Sequence, residues 1–152
     1  MPRVAVLTGS KSDLPLLEPC VQTLTDLGID HELHVMSAHR SPAKVQQFAV
    51  AAADGGFEVI IAAAGMAAHL AGVVASMTTL PVIGVPLASG SHATSGLDAL
   101  LSIAQMPPGV PVACVAVNGA KNAALLAVAI LALKYPEVHA ALERFRQDQS
   151  SA

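Results

Sequence analysis

Thr8-Gly9-Ser10-Lys11-Ser12-Asp13 stands directly behind the apolar run Val4-Ala5-Val6-Leu7, and Ser37-Ala38-His39-Arg40 stands behind a second run at 31–36. Helical periodicity follows each cluster. A short buried strand, a polar cluster and then a helix is the repeating step of an open parallel sheet. Such sheets bind their ligands beyond the strand carboxyl ends. The first cluster offers hydroxyls, an ammonium and a carboxylate; the second offers an imidazole beside a guanidinium. A phosphorylated substrate and proton-transfer chemistry need that inventory.

The same alternation runs along the rest of the chain. A helix is expected over 14–27, with Leu17, Val21 and Leu24 on one face and Gly28 as its stop. Ser41-Pro42 opens the next helix, Ser as cap and Pro in the first turn, and that helix runs to Ala53 before Gly55-Gly56. The run 59–63 is apolar throughout, as a strand covered on both faces is. Then come a small-residue helix over 67–76, a strand over 81–85 and a Gly/Ser-rich loop over 88–96. A helix over 97–104, a strand over 112–117 and an apolar helix over 121–133 follow. Pro136 opens a last amphipathic helix with Val138, Ala141, Leu142 and Phe145 inward. Alternating strands and helices imply a parallel sheet with right-handed crossovers and helices on both faces. The expected fold is α/β: a flavodoxin-like three-layer sandwich with a central parallel sheet and an extra C-terminal helix.

The bulk numbers set bounds on function. At 152 residues, the chain fits one domain, 1–152. A formal charge of -3, with eight scattered cations and no basic run, argues against a nucleic-acid surface. The composition is 53% apolar and only 12% charged, against a usual charged share of roughly 25%. Pro, Gly or polar residues interrupt every apolar run before ~18 residues, so no membrane span is expected. The N-terminus lacks a signal-peptide layout, and a cytoplasmic location is expected. Apolar excess in a soluble chain points to surface hidden against copies of itself. The helix over 121–133, apolar almost all round, is the segment placed partly in such a homo-oligomer interface. Cys20 and Cys114 lie far apart, without Cys-x-x-Cys spacing, and read as reduced core residues. No His/Cys/Asp/Glu spacing resembles a metal site.

Each candidate has a plain structural reading beside its functional one. Ser12 or Asp13 can simply cap the following helix, but capping leaves Gly9, Ser10 and Lys11 unexplained. Together they read as a phosphate or ribose cradle, because the N–H groups of a helix start favour an anion. A lone His is more often structural, yet His39 is followed by Arg40, whose fork grips phosphate. Histidine also titrates near the working pH of a general acid or base. In Ala64-Gly65-Met66-Ala67-Ala68-His69-Leu70 the small residues let a ligand or another backbone approach closely. His31, His34 and His139 read as exposed and carry no assignment.

Rival nucleotide folds fit less well. A flavin module needs aromatics in its strand-end loops, where this chain has none. A phosphorelay receiver needs an Asp where Ala62-Ala63-Ala64 stands, and a dinucleotide binder needs G-x-G-x-x-G.

GSKSD, SAHR and AGMAAHL behind the first three strands, followed by LDALLSIAQMPPGVPV and NAALLA, resemble the PurE family in this order. The resemblance spans the chain from Val4 to about Leu133. It implies a step of purine biosynthesis in which N5-carboxyaminoimidazole ribonucleotide becomes 4-carboxy-5-aminoimidazole ribonucleotide, without metal or organic cofactor. It also implies an octamer. The animal-type carboxylases carry Ser-Asn where this chain has Ala68-His69, so the motif favours the rearrangement over direct carboxylation. Direct carboxylation and non-catalytic nucleotide binding are the alternatives. Carried over by position, Ser10, Asp13 and Arg40 match substrate-binding residues, with Ser12 and Ser37 on the phosphate side. His39 matches the proton-transfer histidine; His69 and the region of Gly65 resemble the wall for carbon dioxide. Met66 stands where many relatives have Gly, and Ala71 where many have Pro. The 88–96 loop is longer than usual and carries its own His92, and the turn at Asn118-Gly119-Ala120-Lys121-Asn122 is shorter.

Overall fold

In the computed structural model, which describes residues 1–90 and 92–152, five parallel strands form one sheet in the order β2-β1-β3-β4-β5. The strands are β1 (Arg3–Thr8), β2 (Asp30–Val35), β3 (Val59–Gly65), β4 (Val82–Leu87) and β5 (Ala113–Cys114). Helices α1 (Leu14–Asp26), α2 (Pro42–Ala51), α3 (Leu70–Ala75), α4 (Leu97–Ala104), α5 (Ala120–Ala132) and α6 (Pro136–Ser150) cover it. The period-two alternation of a strand sorts its side chains between layers. Val4 and Val6 of β1 pack with Leu17, Cys20 and Leu24 of α1 and the alanines of α5. Ala5 and Leu7 point the other way, into Val45 and Ala49 of α2 and Leu70 and Val74 of α3. All four β1 side chains are fully buried, which is why this strand reads as an unbroken apolar run. The flavodoxin-like sandwich is therefore present, with α6 as its extra helix.

Three local expectations are corrected. The fifth strand pairs over Ala113–Cys114 only, not 112–117. Pro86 of β4 faces β5 with a carbonyl, which accepts from Asn118 N–H at 2.8 Å, but has no N–H to return. Second, α3 begins at Leu70 rather than Ala67, because Met66 takes a left-handed φ of 54° and breaks the approach. Third, Val21 of α1 is only half-buried; the buried face carries Leu17, Cys20, Thr23 and Leu24.

The apolar surface of α5 is covered in part within the chain: Ala120, Ala123, Ala124, Ala127, Val128 and Leu131 are buried, while Leu125, Leu126, Ala129 and Ile130 are half-buried. The sheet and α1 take one side, while Val138 and Leu142 of α6 join the same cluster. Large apolar side chains left exposed on the helical layers include Val50 of α2, Leu97 and Leu101 of α4 and Leu133 beyond α5. Packing is close between α4 and β4, where a Cβ on Gly84 would lie 2.3 Å from Ile103 Cγ2. Only glycine fits there.

Candidate active site

The loops behind β1, β2, β3 and β4 enclose a cleft of about 620 Å³ at the carboxyl end of the sheet. It sits where the strand order reverses, between β1 and β3, as ligand sites of open α/β sheets do. Ser10, Ser12, Asp13, Ser37, His39, Arg40, Gly65 and His69 all line it, together with Met66 and His92.

The β1 loop is built by its own hydroxyls. Lys11–Asp13 forms a single 3-10 turn whose second amide group is met by Ser10: Ser12 N–H donates to Ser10 Oγ at 3.3 Å. The two hydroxyls stand 2.9 Å apart and face the cleft as a pair. Asp13 occupies the N-cap position of α1 but makes no capping bond. Its Oδ2 accepts instead from Thr8 Oγ1 at 2.9 Å. Thr8 is fully buried, so its hydroxyl requires a partner, and satisfying it fixes the carboxylate at the cleft edge.

The β2 loop is tied to the β1 loop through Arg40. Arg40 Nη2 donates to the Gly9 carbonyl at 2.8 Å, and its backbone N–H and Nε both donate to Ser37 Oγ. Ser41 does not cap α2. Its hydroxyl accepts from Ser37 N–H at 3.2 Å and donates to the Ser37 carbonyl at 3.1 Å, closing the loop on itself.

His39 reaches from this loop across β1 to the β3 side. Its Nε2 lies 2.6 Å from Nδ1 of His69, the N-cap of α3, and the rings stand edge to face at 88°. A nitrogen–nitrogen hydrogen bond needs one donor and one acceptor, so the contact holds a single hydrogen. The two imidazoles are thus joined by one hydrogen bond within the cleft.

The β3 side is small-residue backbone. A Cβ on Gly65 would lie 3.0 Å from the Leu87 carbonyl oxygen and 3.2 Å from His92 Cε1, so glycine is needed to admit both. Beside it, Met66 is 61% exposed at its positive φ, a backbone costing about 1 kcal/mol for a residue with a side chain. Strain of this kind at a cleft rim is maintained by its surroundings and points to use.

Comparison with known proteins shows the family. A family model described as AIR carboxylase matches residues 3–152. The chain belongs to that family. The N5-carboxyaminoimidazole ribonucleotide mutase of Pyrococcus abyssi is 53% identical over 148 residues, 97% of this chain and 84% of the relative. The enzyme of the same name from Saccharolobus solfataricus is 55% identical over 97% of this chain and 92% of its own length. The crystal structure of Treponema denticola PurE superposes with a TM-score of 0.86 at 27% identity, covering 99% of this chain and 93% of that one.

Within this member of the AIR carboxylase family, two features of the site, and the setting of one histidine outside it, escaped the sequence. Thr8 reads as the end of a strand, and nothing local shows that its hydroxyl holds Asp13. Asn118 lies 30 residues from Ala88, yet its side-chain amide accepts from Ala88 N–H and donates to the Ala88 carbonyl, both at 2.9 Å. That clamp fixes the base of the 88–96 loop. His34, read as exposed, is half-buried with its ring 5.0 Å from Phe48 and Nε2 3.0 Å from Glu32.

Proposed function

We propose that residues 1–152 act as one catalytic domain that converts N5-carboxyaminoimidazole ribonucleotide to 4-carboxy-5-aminoimidazole ribonucleotide, with His39 as proton carrier. The observation that carries this reading is the His39–His69 pair, set between a polar half-cleft and a small-residue half-cleft. The names of the relatives support the same reaction.

The chemistry matches the two halves. Ser10, Ser12, Ser37 and Arg40 offer donors for the phosphate. Asp13 as an anion repels phosphate, but its free oxygen accepts from ribose hydroxyls or the amine. In the reaction the bond from the exocyclic nitrogen to the carboxyl carbon breaks, and carbon dioxide is released with the electron pair left on nitrogen. That pair returns through the ring as carbon 4 attacks the carbon dioxide. Carbon 4 then gives up its proton, and the nitrogen gains one. Net, a carboxyl group moves from nitrogen to carbon and one proton moves the other way. A single carrier that accepts and returns one proton suffices, and His39, sharing one hydrogen with His69, is suited to it. Gly65 and His69 wall the side where carbon dioxide must be retained.

The purified chain should therefore make product from the N-carboxylated substrate without ATP or added bicarbonate. From aminoimidazole ribonucleotide it should need high bicarbonate. Efficient use of low bicarbonate would instead establish direct carboxylation, and no product from either substrate would remove the reading.

A homo-oligomer, an octamer by family resemblance, is part of the same proposal. Leu97 and Leu101, one helical turn apart on α4 and 54% and 47% exposed, are the apolar surface that supports it. Light scattering at micromolar concentration should find no substantial monomer; a monodisperse species of 15.4 kDa would refute this. We place the reaction in the cytoplasm, where free thiols persist. Cys20 and Cys114 are both unpaired, and burial pushes the Cys20 thiol up to about 12. Among the described residues no helix is long and apolar enough to cross a membrane.

A further inference from the structure

His92 is the one imidazole of the cleft that the mechanism above leaves unused. It lies in the 88–96 loop, whose base is held by the two Asn118 bonds to Ala88. Within the loop, His92 N–H donates to the Ser89 carbonyl at 3.0 Å, and Ser95 N–H to the His92 carbonyl at 3.2 Å. The ring is half-buried and packs its Cε1 against the bare backbone of Gly65. Ser89 N–H donates to Nδ1 at 3.4 Å, which leaves the proton of a neutral ring on Nε2 as a donor. Asp98 lies nearby, its carboxyl held below the usual range by the Thr94 hydroxyl and the Ala99 amide, with a smaller part from His92 itself.

Strand order assigns this donor to one end of the substrate. Arg40 stands behind β2 and His92 behind β4, three strand spacings away in the order β2-β1-β3-β4, or about 14 Å. The phosphate and the migrating carboxyl group lie at opposite ends of the substrate, with the ring between them. With phosphate at the Arg40 end and the ring under His39 and His69, the carboxyl group falls against Gly65, where His92 closes the wall.

We propose that His92 is a substrate-contacting residue that donates from Nε2 to the migrating carboxyl group and retains the carbon dioxide released from it. This rests on the reaction proposed above. Its donor role distinguishes it from packing alone, since Gly65 admits the ring without needing its polarity.

The test supplies substrate labelled in the N-carboxyl group, with excess unlabelled bicarbonate, to wild type, His92→Ala, His92→Phe and His92→Gln. Label in product and KM are read together, after spontaneous decarboxylation is subtracted. Wild type should keep most of its label. The Ala and Phe variants should lose label several-fold more readily and raise KM roughly tenfold or more, the scale of a hydrogen bond to a charged group. Gln, which restores an N–H donor, should recover most of both. Phe and Gln fill the loop's volume, so their comparison stands whatever the Ala variant does to folding. Wild-type partition and KM in the Phe variant, or a Gln variant as impaired as Phe, would overturn the role. A wild-type chain that makes product beside unaffected variants removes only His92; one that makes no product removes the reaction and His92 with it.

Discussion

His39→Asn should lower turnover by about a thousandfold or more while substrate affinity stays within about tenfold. Asparagine keeps a planar, hydrogen-bonding side chain on the same loop but cannot take up and return a proton. A group that acts mainly in the transition state affects kcat more than ground-state binding. The Ser37–Arg40 contacts that shape the loop do not involve the His39 ring, so the fold of the binding half should persist. His69→Asn gives the companion measurement. It removes the partner 2.6 Å from Nε2 but leaves the carrier, so its loss should be smaller. Single-turnover kinetics and equilibrium binding on the same preparations separate the two effects. Near-normal turnover in His39→Asn would remove the proposed mechanism.

What the sequence revealed and what it hid divide along the range of the interactions. The strands and the polar loops behind them follow from local patterns: an unbroken apolar run at Val4–Leu7, then hydroxyls and a helix start. Those patterns placed Ser10, Asp13, His39, Arg40, Gly65 and His69 at one end of one sheet, and all of them line one cleft. Partner choice is different, because hydrogen-bond partners are selected by three-dimensional neighbours. Asp13 serves Thr8 rather than the helix N-terminus, and Ser41 serves Ser37 rather than α2. The same holds for the partner of α5: α6, folding back from Pro136, shares part of its core. The short β5 depends on which side Pro86 faces, and that is fixed by register. Met66 carries no local signal for a positive φ, since glycine and asparagine are the residues that announce one.

Arg40→Ala should weaken substrate binding by about 2–4 kcal/mol, roughly thirty- to several-hundredfold, with kcat less affected. A guanidinium has five N–H donors. Here one goes to the Gly9 carbonyl and Nε to Ser37 Oγ, which leaves three for a ligand. Those two internal bonds hold the fork in place before substrate arrives, so little ordering cost is added on binding. Truncation removes the charge-assisted contacts and also releases the β2 loop from the β1 loop, so both halves of the phosphate cradle loosen together. Arg40→Lys separates these effects. It restores the charge but cannot bond Gly9, Ser37 and a phosphate at once, and should recover only part of the lost affinity. Titrating inorganic phosphate as a competitor against each variant locates the loss: the competitor should weaken in parallel with substrate. If phosphate competes equally well against wild type and Arg40→Ala, the phosphate lies elsewhere in the cleft, and the orientation that places the migrating carboxyl group against Gly65 must be reversed.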